Sequence, residues 1–275
     1  MTDSLRTRIG TAAVLLPPVL AVILFAGPLA FALGLGAFLL IAGWEWLRLC
    51  GMPSRPLRAL WLAGLLALAA ALYAFAPRPL VEGLILSGAA FWLLALLWLR
   101  HPHFGATPGI YACLLKALAG CFALLAGWLA LVVLREGTEG VQWVLYLLAL
   151  VWVADIGAYF SGRAIGGARL APTISPGKTW AGFAGGMTAS AALALIAGRF
   201  GFGLVGRDLA MLFLLSLASA MLSVVGDLFE SLIKRQGRQK DSGRLLPGHG
   251  GVFDRIDSLL AAAPVFVAGK AWILP

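Results

Sequence analysis

Residues 226–258 have the sequence GDLFESLIKRQGRQKDSGRLLPGHGGVFDRIDS. We call this stretch the charged segment, because it contains five acidic and six basic side chains and lies between two strongly apolar stretches. The acids are Asp227, Glu230, Asp241, Asp254 and Asp257, and the bases are Lys234, Arg235, Arg238, Lys240, Arg244 and Arg255. Such a concentration of charge indicates that the rest of the chain serves mainly to position this segment.

The chain as a whole is far more apolar than a soluble domain. Of its 275 residues, 61% are hydrophobic and 12% are charged, whereas soluble domains are roughly half apolar. A hydrocarbon core of about 30 Å requires roughly 20 apolar residues per helix. Stretches near 9–25, 28–47, 57–76, 80–99, 107–134, 141–160, 180–199, 209–230 and 258–274 meet this requirement. We therefore predict an all-α, polytopic integral membrane protein with about nine transmembrane helices.

The distribution of Lys and Arg predicts the orientation of these helices. Cytoplasmic loops retain positive charge, and with the N-terminus inside, fifteen basic residues fall on the cytoplasmic side and five on the outer side. We therefore predict a cytoplasmic N-terminus, with the polar connections 161–179 and 231–257 on the cytoplasmic face. Basic loops of this kind account for the net charge of +9 without a nucleic-acid partner, and we expect none.

We also expect a division of labour along the chain. Residues 1–134 contain few side chains suited to catalysis or ligand binding. We therefore predict an N-terminal helical region that serves as scaffold and gives lipids access to the site. Residues 135–275 contain the charged segment and both long polar connections. We predict that they form the catalytic membrane region.

Four acids lie within or at the edge of predicted spans, namely Glu45, Asp155, Asp227 and Glu230. Ionised carboxylates are costly in hydrocarbon, so each indicates a polar cavity or a functional site. The alternative is that each acid pairs with a nearby base and only orients a helix. For Glu45, three residues before Arg48, we favour this alternative. For Asp227 we favour a function, because Asp254 and Asp257 follow just across the loop.

Acids and bases together indicate a site for phosphate chemistry. Acidic oxygens from a helix end and the following loop suit Mg²⁺, which takes few carboxylates and leaves positions for phosphate oxygens. The surrounding bases suit a phosphate, and phosphoryl or nucleotidyl transfer depends on charge neutralisation and alignment. A solvated loop against anionic headgroups is a simpler alternative. A secondary transporter is another, but its acids would lie deep in the helices.

A glycine-rich tract at 247–251 places His249 next to Gly250 and Gly251. Bare backbone of this kind can approach a ligand and donate N–H groups to it. A lone histidine could contact a phosphate, act as acid or base, bind a metal or shape a turn. We favour a structural or phosphate-contacting role for His249.

A second polar stretch, SPGKTW at 175–180, resembles the end of a P-loop but has Pro172 where that motif needs glycine. We predict that Ser175, Lys178 and Thr179 lie at the start of a helix, where N–H groups favour an anion. Ser175 as N-cap, with Pro176 in the first turn, is compatible with this role.

Gly182 and Gly186 follow at the spacing G-x-x-x-G. In a membrane helix this spacing predicts a close helix contact. The contact could lie within the chain or between the two subunits of a homodimer.

Several of these residues fall in motifs that resemble those of the phosphatidate cytidylyltransferase family, also called CDP-diacylglycerol synthases. The matching segments are 231–235, 240–243, 246–251 and 254–257, with further similarity at 155–160, 162–163 and 175–179. The resemblance covers roughly the C-terminal half. Gly167, Gly177 and Ala181 depart from the family pattern, which often has two basic residues and a glutamate at these positions. These departures concern nucleotide affinity and leave the signature intact.

The resemblance implies transfer of a cytidylyl group from CTP to phosphatidate, giving CDP-diacylglycerol and pyrophosphate, with Mg²⁺ required. It implies a protein of the bacterial inner membrane whose active site faces the cytoplasm. Transfer to another lipid phosphate or to a polyprenol-type acceptor is the nearest alternative.

The resemblance also assigns roles to residues. Asp227 and Asp254 are the implied metal ligands, with Glu230 and Asp257 as further candidates and room for a second cation. The implied phosphate-binding bases are Lys234, Arg235, Lys240 and Arg255, with Asp241 and Asp257 orienting them or completing the metal shell. The implied nucleotide-side residues are Ser175, Lys178 and Thr179, with His249, Gly250 and Gly251 also at the substrate and with Asp155 and Tyr159 lining the cavity.

Overall fold

The computed structural model describes residues 3–243, 245, 248 and 250–273, which form nine α-helices and one two-stranded sheet. The helices are α1 (Asp3–Phe25), α2 (Pro28–Leu49), α3 (Arg55–Phe75), α4 (Arg78–Arg100), α5 (Ile110–Glu136), α6 (Gly140–Ile165), α7 (Trp180–Ile196), α8 (Gly206–Gln236) and α9 (Phe253–Ile273). The strands β1 (Arg169–Ala171) and β2 (Ser175–Thr179) pair in antiparallel fashion between α6 and α7. A π-helical turn, Ala197–Gly201, extends α7.

Seven of the described helices, α2 to α8, are long and apolar enough to cross a bilayer. The predicted class, an all-α polytopic membrane protein, is confirmed. The predicted number of nine membrane spans is not confirmed. The stretches predicted at 9–25 and 258–274 correspond to α1 and α9, and their crossing of the membrane stays a prediction, as does the side on which the N-terminus lies.

Helix α5 is the most buried of these seven helices and packs against α2, α4, α6 and α9. Buried indole N–H groups tie the surrounding helices together, because a buried donor in an apolar core needs an acceptor. Trp128 Nε1 donates to the Ala32 carbonyl at 3.0 Å, and Trp46 Nε1 donates to the Lys116 carbonyl at 2.8 Å. These bonds join α5 to α2, the helix that carries Glu45.

Helices α6 and α7 approach each other closely through small residues. A Cβ atom on Gly182 would lie 2.8 Å from the Ala158 carbonyl oxygen, and one on Gly186 would lie 2.8 Å from that of Ala154. The close helix contact predicted for the G-x-x-x-G spacing is confirmed, and its partner is α6 of the same chain. This contact holds α6, which carries Asp155, against α7, which directly follows the β1–β2 hairpin.

The polar connections are shorter than the sequence predicts. Helix α8 continues to Gln236 and α9 begins at Phe253, so much of the predicted loop 231–257 is helical. Hydropathy marks only the apolar part of a helix, and both helices continue past that part as charged ends. Lys234 and Asp254 are therefore held on helical turns, which fixes their directions.

Of the residues predicted at the start of a helix, Thr179 lies there, whereas Ser175 and Lys178 belong to strand β2, which precedes that helix. Helix α7 starts at Trp180, and its N-cap is Thr179, whose Oγ1 accepts a hydrogen bond from the Gly182 N–H at 3.0 Å. Ser175 is not the N-cap and Pro176 is not in the first turn. Pairing with β1 keeps this stretch extended, and a threonine in extended conformation is a favourable N-cap.

The close α6–α7 contact predicts that a larger side chain at Gly186 lowers the stability of the protein. In Gly186→Ala the new methyl group meets the Ala154 carbonyl, and overpacking of this kind costs about 1–3 kcal/mol. We expect a lower melting temperature in detergent. Gly64→Ala is the matched control, because a Cβ at Gly64 on α3 meets no atom within 4 Å; we expect no loss there. Equal melting temperatures for the two variants would contradict the assignment of this contact.

Candidate active site

Lys234, near the end of α8, binds two buried carboxylates. Its Nζ lies 3.0 Å from Glu230 Oε2 on the same helix and 2.7 Å from Asp254 Oδ1 on α9. The side chains are 13%, 1% and 6% exposed, respectively. Buried charges are tolerated only when they are paired. This ion triad therefore fixes the start of α9 against the end of α8.

Asp254 also organises the backbone of the charged segment. Its Oδ2 accepts hydrogen bonds from the N–H groups of Ser242 at 2.9 Å and Gly251 at 2.8 Å. In return, the Asp254 N–H donates to Ser242 Oγ at 3.3 Å. Burial raises the pKa of Asp254, but the Lys234 ammonium and the Gly251 N–H stabilise its anion and lower the pKa to about 2. Asp254 is therefore an anion at neutral pH.

Asp257 is a further buried acid, and it interacts electrostatically with Glu230 of this triad. Asp257 Oδ1 accepts the Ser258 N–H at 2.8 Å. Burial, together with the nearby charge of Asp227, raises the pKa of Asp257. Glu230 Oε1 is buried and has no hydrogen-bond partner within the part of the chain that the structure describes. A buried acceptor of this kind leaves a position for a donor or a cation.

The predicted nucleotide segment meets the predicted metal ligand directly. Lys178 Nζ on β2 lies 2.5 Å from Asp227 Oδ2 on α8, with side chains 26% and 31% exposed. Ser231 Oγ donates to Asp227 Oδ1 at 3.4 Å. Asp227 also interacts electrostatically with Asp155 on α6 and with Asp257 on α9. Four elements of the fold thus converge on this carboxylate.

A cavity of about 170 Å³ lies between α6 and α9 beside these acids. One part of its wall is apolar and the other is charged. The lining residues are Leu148, Val151, Trp152, Asp155, Asp254, Arg255, Asp257, Ser258 and Leu259. The cavity can therefore take a group that is polar at one end and apolar at the other.

Other predicted site residues lie around this centre without an ion pair to it. Tyr159 is exposed, and its hydroxyl accepts a hydrogen bond from Arg163 Nη1 at 2.9 Å. Arg235 is exposed, and its Nε donates to the Ile174 carbonyl at 3.3 Å, next to Ser175. The Thr179 hydroxyl is used as the cap of α7 and is buried. These residues border the site from the side of the hairpin.

The connection between α8 and α9 carries the remaining candidates. Lys240 and Asp241 are exposed on it. Gly250 has a φ of +81°, which favours glycine, and a Cβ there would lie 2.5 Å from Asp254 Oδ2. His249 lies outside the described residues. The substrate roles assigned to these positions stay predictions.

Glu45 is the residue whose role sequence reasoning misses. The expected pairing of Glu45 with a nearby base is wrong: Glu45 Oε2 accepts hydrogen bonds from the Phe253 N–H at 2.9 Å and from Ser242 Oγ at 3.2 Å. Arg48 Nη2 donates to the Ser242 carbonyl instead. The available signal is an acid near the end of an apolar helix, but its partners lie far away in the sequence. Ser242 lies in the matching segment 240–243, but the resemblance assigns it no role.

The donor set is compatible with a hard cation. Within the described residues, no three or more His, Cys, Asp or Glu side chains are placed to hold a metal ion by themselves. Mg²⁺, however, commonly uses one or two carboxylates and completes its shell with water and phosphate oxygens. The carboxylates here and the unpartnered Glu230 Oε1 fit that chemistry. The assignment of Asp227 and Asp254 as ligands stays a prediction.

The fold and the site define an integral membrane enzyme that handles phosphate groups at one end of its helices. Comparison with known proteins makes the class specific. Residues 6–270 match the sequence model of the cytidylyltransferase family, and the chain belongs to that family.

Two bacterial relatives resemble the chain along nearly its whole length. It is 42% identical over 270 residues to the phosphatidate cytidylyltransferase of Pseudomonas aeruginosa, covering 96% of each chain. It is 36% identical over 288 residues to the phosphatidate cytidylyltransferase of Haemophilus influenzae, covering 95% of this chain and 97% of the relative. The similarity thus includes the N-terminal helices as well as the charged segment.

The ion triad predicts that substitution of Lys234 lowers the melting temperature far more than substitution of its neighbour Arg235. Lys234→Met leaves Glu230 and Asp254 without their shared cation, and breaking a buried pair typically costs about 3–5 kcal/mol. We expect a strongly lowered melting temperature. Arg235→Met is the matched control, because Arg235 is exposed, and we expect little change. Similar melting temperatures for both variants would show that the triad contributes little.

Proposed function

We propose that the protein transfers a cytidylyl group from CTP to phosphatidate, giving CDP-diacylglycerol and pyrophosphate. The observation that carries this proposal is the meeting of Lys178 with Asp227 beside a cavity that is charged on one side and apolar on the other. The relatives named phosphatidate cytidylyltransferase match both the scaffold and the charged segment. The reaction places its product in phospholipid biosynthesis.

The reaction is a displacement at phosphorus. A phosphate oxygen of the lipid forms a bond to the α-phosphorus of CTP, and the bond between that phosphorus and the pyrophosphate breaks. Negative charge on the phosphoryl oxygens must be neutralised and the groups held in line. Lys178 and the exposed bases Arg235, Lys240 and Arg255 supply positive charge for the phosphates. Lys234 is committed to Glu230 and Asp254, so its main role is to hold Asp254 in place.

We assign the hairpin side of the site to the nucleotide. Lys178 projects from β2 towards α8, and Ser175 begins the same strand. Arg235 binds the backbone next to Ser175. A phosphate chain in this region would contact both bases, and Tyr159 borders the same side. Phosphate binding by Lys178 would compete with its ion pair to Asp227, which frees the carboxylate when CTP enters.

We assign the cavity between α6 and α9 to the lipid headgroup. Its volume of about 170 Å³ is smaller than ligand pockets that enclose a whole drug-sized molecule, which occupy roughly 300–1,000 Å³. It therefore suits the phosphate end of phosphatidate. Asp155 and Arg255 lie on its polar side, and Leu148, Val151 and Trp152 lie on its apolar side, where acyl chains would continue into the bilayer.

We propose Asp227 and Asp254 as ligands of Mg²⁺, with Glu230 and Asp257 as further candidates, and a second cation is compatible with this set. Mg²⁺ bound here would neutralise charge on the phosphate oxygens. The ligands come from α8 and α9, which the Lys234 triad holds together. Asp241, exposed on the connection between these helices, would orient a nearby base.

We propose that the protein lies in the bacterial inner membrane with its N-terminus and active site on the cytoplasmic side. The excess of Lys and Arg on that side supports this orientation, and CTP is a water-soluble substrate. A homodimer is compatible with the exposed apolar faces of α6 and α7, and no nucleic acid is needed as a partner. Seven apolar helices support a membrane location.

Substrate dependence tests the proposed reaction. With purified protein, Mg²⁺ and CTP, we expect pyrophosphate release only when phosphatidate is added, because its phosphate is the nucleophile. Diacylglycerol, which lacks that phosphate, is the control lipid, and a polyprenyl phosphate tests the alternative acceptor. Release with the polyprenyl phosphate but not with phosphatidate would reject the proposed substrate.

The proposed metal ligands can be tested by substitutions that keep shape and remove charge. We expect Asp227→Asn and Asp254→Asn to abolish Mg²⁺-dependent turnover while the protein stays folded in detergent, because a neutral amide is a poor Mg²⁺ ligand. Asp208→Asn is the matched control, since Asp208 lies exposed at the other end of α8. Wild-type turnover by either site variant across Mg²⁺ concentrations would remove that residue from the metal site.

A further inference from the structure

Glu45 belongs to the N-terminal half of the chain, yet its carboxylate binds the charged segment. The side chain is buried at the end of α2, with the residue 6% exposed. Its Oε2 accepts hydrogen bonds from the Phe253 N–H and from Ser242 Oγ. These donors lie 208 and 197 positions further along the chain. Neither bond is needed to form α2 itself, so the bonds act on the charged segment.

The bond to Phe253 caps α9 from another helix. Helix α9 begins at Phe253, and N–H groups in the first turn of a helix have no acceptor within that helix. A preceding polar side chain usually accepts such a bond, but here Val252 precedes the helix and has no side-chain acceptor. The Glu45 carboxylate provides the acceptor, and negative charge at this end is favoured by the helix dipole.

The backbone around Glu45 is shaped to admit it. A Cβ atom on Gly243 or on Gly251 would collide with the carboxylate oxygens. Arg48, one turn further along α2, donates from Nη2 to the Ser242 carbonyl. Ser242 is thereby bound through its hydroxyl by Glu45 and through its carbonyl by Arg48.

Glu45 and Asp254 hold the same stretch of backbone from two sides. Asp254 accepts the N–H groups of Ser242 and Gly251, while Glu45 accepts the hydroxyl of Ser242 and the N–H of Phe253. Phe253 directly precedes Asp254. Loss of Glu45 would therefore leave Asp254 and Arg48 to order this stretch, while Asp254 must also serve the reaction.

We infer that Glu45 is a positioning residue for the proposed cytidylyl transfer. It acts through Ser242 and Phe253 to hold Asp254 at the point where nucleotide and lipid phosphate meet. The effect of Glu45 on turnover rests on the proposed function. The ordering of the charged segment by Glu45 is independent of that function. A residue that only stabilises the fold would change the melting temperature without changing turnover by the folded protein.

The kinetic test compares two substitutions in the full chain, purified in detergent and assayed well below the melting temperature. Glu45→Ala removes the acceptor, and we expect kcat to fall between about tenfold and a hundredfold through misplacement of the reacting groups. The KM for CTP should change much less, because the nucleotide binds on the hairpin side. Glu45→Gln keeps a carbonyl oxygen that can accept both hydrogen bonds, and we expect it to recover most of the turnover.

A matched control separates positioning from general stability. Tyr146→Phe removes the buried hydrogen bond between Tyr146 Oη and Ser216 Oγ, 2.6 Å long, which joins α6 to α8 away from the charged segment. We expect it to lower the melting temperature and leave kcat unchanged. A Glu45→Ala variant with kcat within about twofold of the wild type would overturn the inference.

A second measurement needs no turnover. Hydrogen–deuterium exchange of peptides covering residues 240–253, without substrate or metal, reports how firmly this backbone is held. We expect faster exchange in Glu45→Ala and near wild-type exchange in Glu45→Gln. Unchanged exchange in Glu45→Ala would also overturn the inference. Because no substrate is present, this result does not depend on which lipid accepts the cytidylyl group.

Discussion

The bond between Lys234 and two buried carboxylates is the interaction on which the site depends. Lys234 joins Glu230 on α8 to Asp254 on α9. Gly226 allows these helices to lie close together, since a Cβ there would collide with the Asp257 carbonyl. An ammonium group at this depth needs a carboxylate partner, and Lys234 has one on each helix. The triad thus fixes the position of α8 relative to α9, whose Asp254 and Asp257 line the cavity.

Much of the architecture could be predicted because its signals are local. The helices are apolar runs of the right length, and the close approach of Gly186 to α6 follows from a spacing of small residues. The helix ends could not be placed, since a charged continuation such as Lys234 carries no hydropathy signal. The sequence places Ser175 at a helix N-cap, whereas it begins strand β2. The pairing of β2 with β1 depends on backbone hydrogen bonds that side-chain patterns do not encode.

The site was predictable to the extent that its residues share one segment. Asp227, Lys234 and Asp254 stand out because charged side chains next to membrane helices are costly and therefore indicate a functional site. Their partners were only partly visible: Lys178 lies in a recognisable motif, whereas Glu45 lies in an apolar helix next to a plausible base. A local ion pair was the simplest account of Glu45, and only the folded chain brings it to Phe253.

The glycines of the charged segment acquire a different meaning in the folded chain. From the sequence they predict bare backbone that approaches a ligand, but Gly243 and Gly251 face the Glu45 carboxylate and Gly250 faces Asp254. The protein's own acids therefore occupy the space that the missing side chains leave. Backbone N–H groups that could bind phosphate are used to fix a carboxylate instead, as with Gly251 and Asp254. This part of the glycine-rich tract thus orients the Asp254 carboxylate, and in the proposed reaction the basic side chains around it would bind the substrate's phosphates.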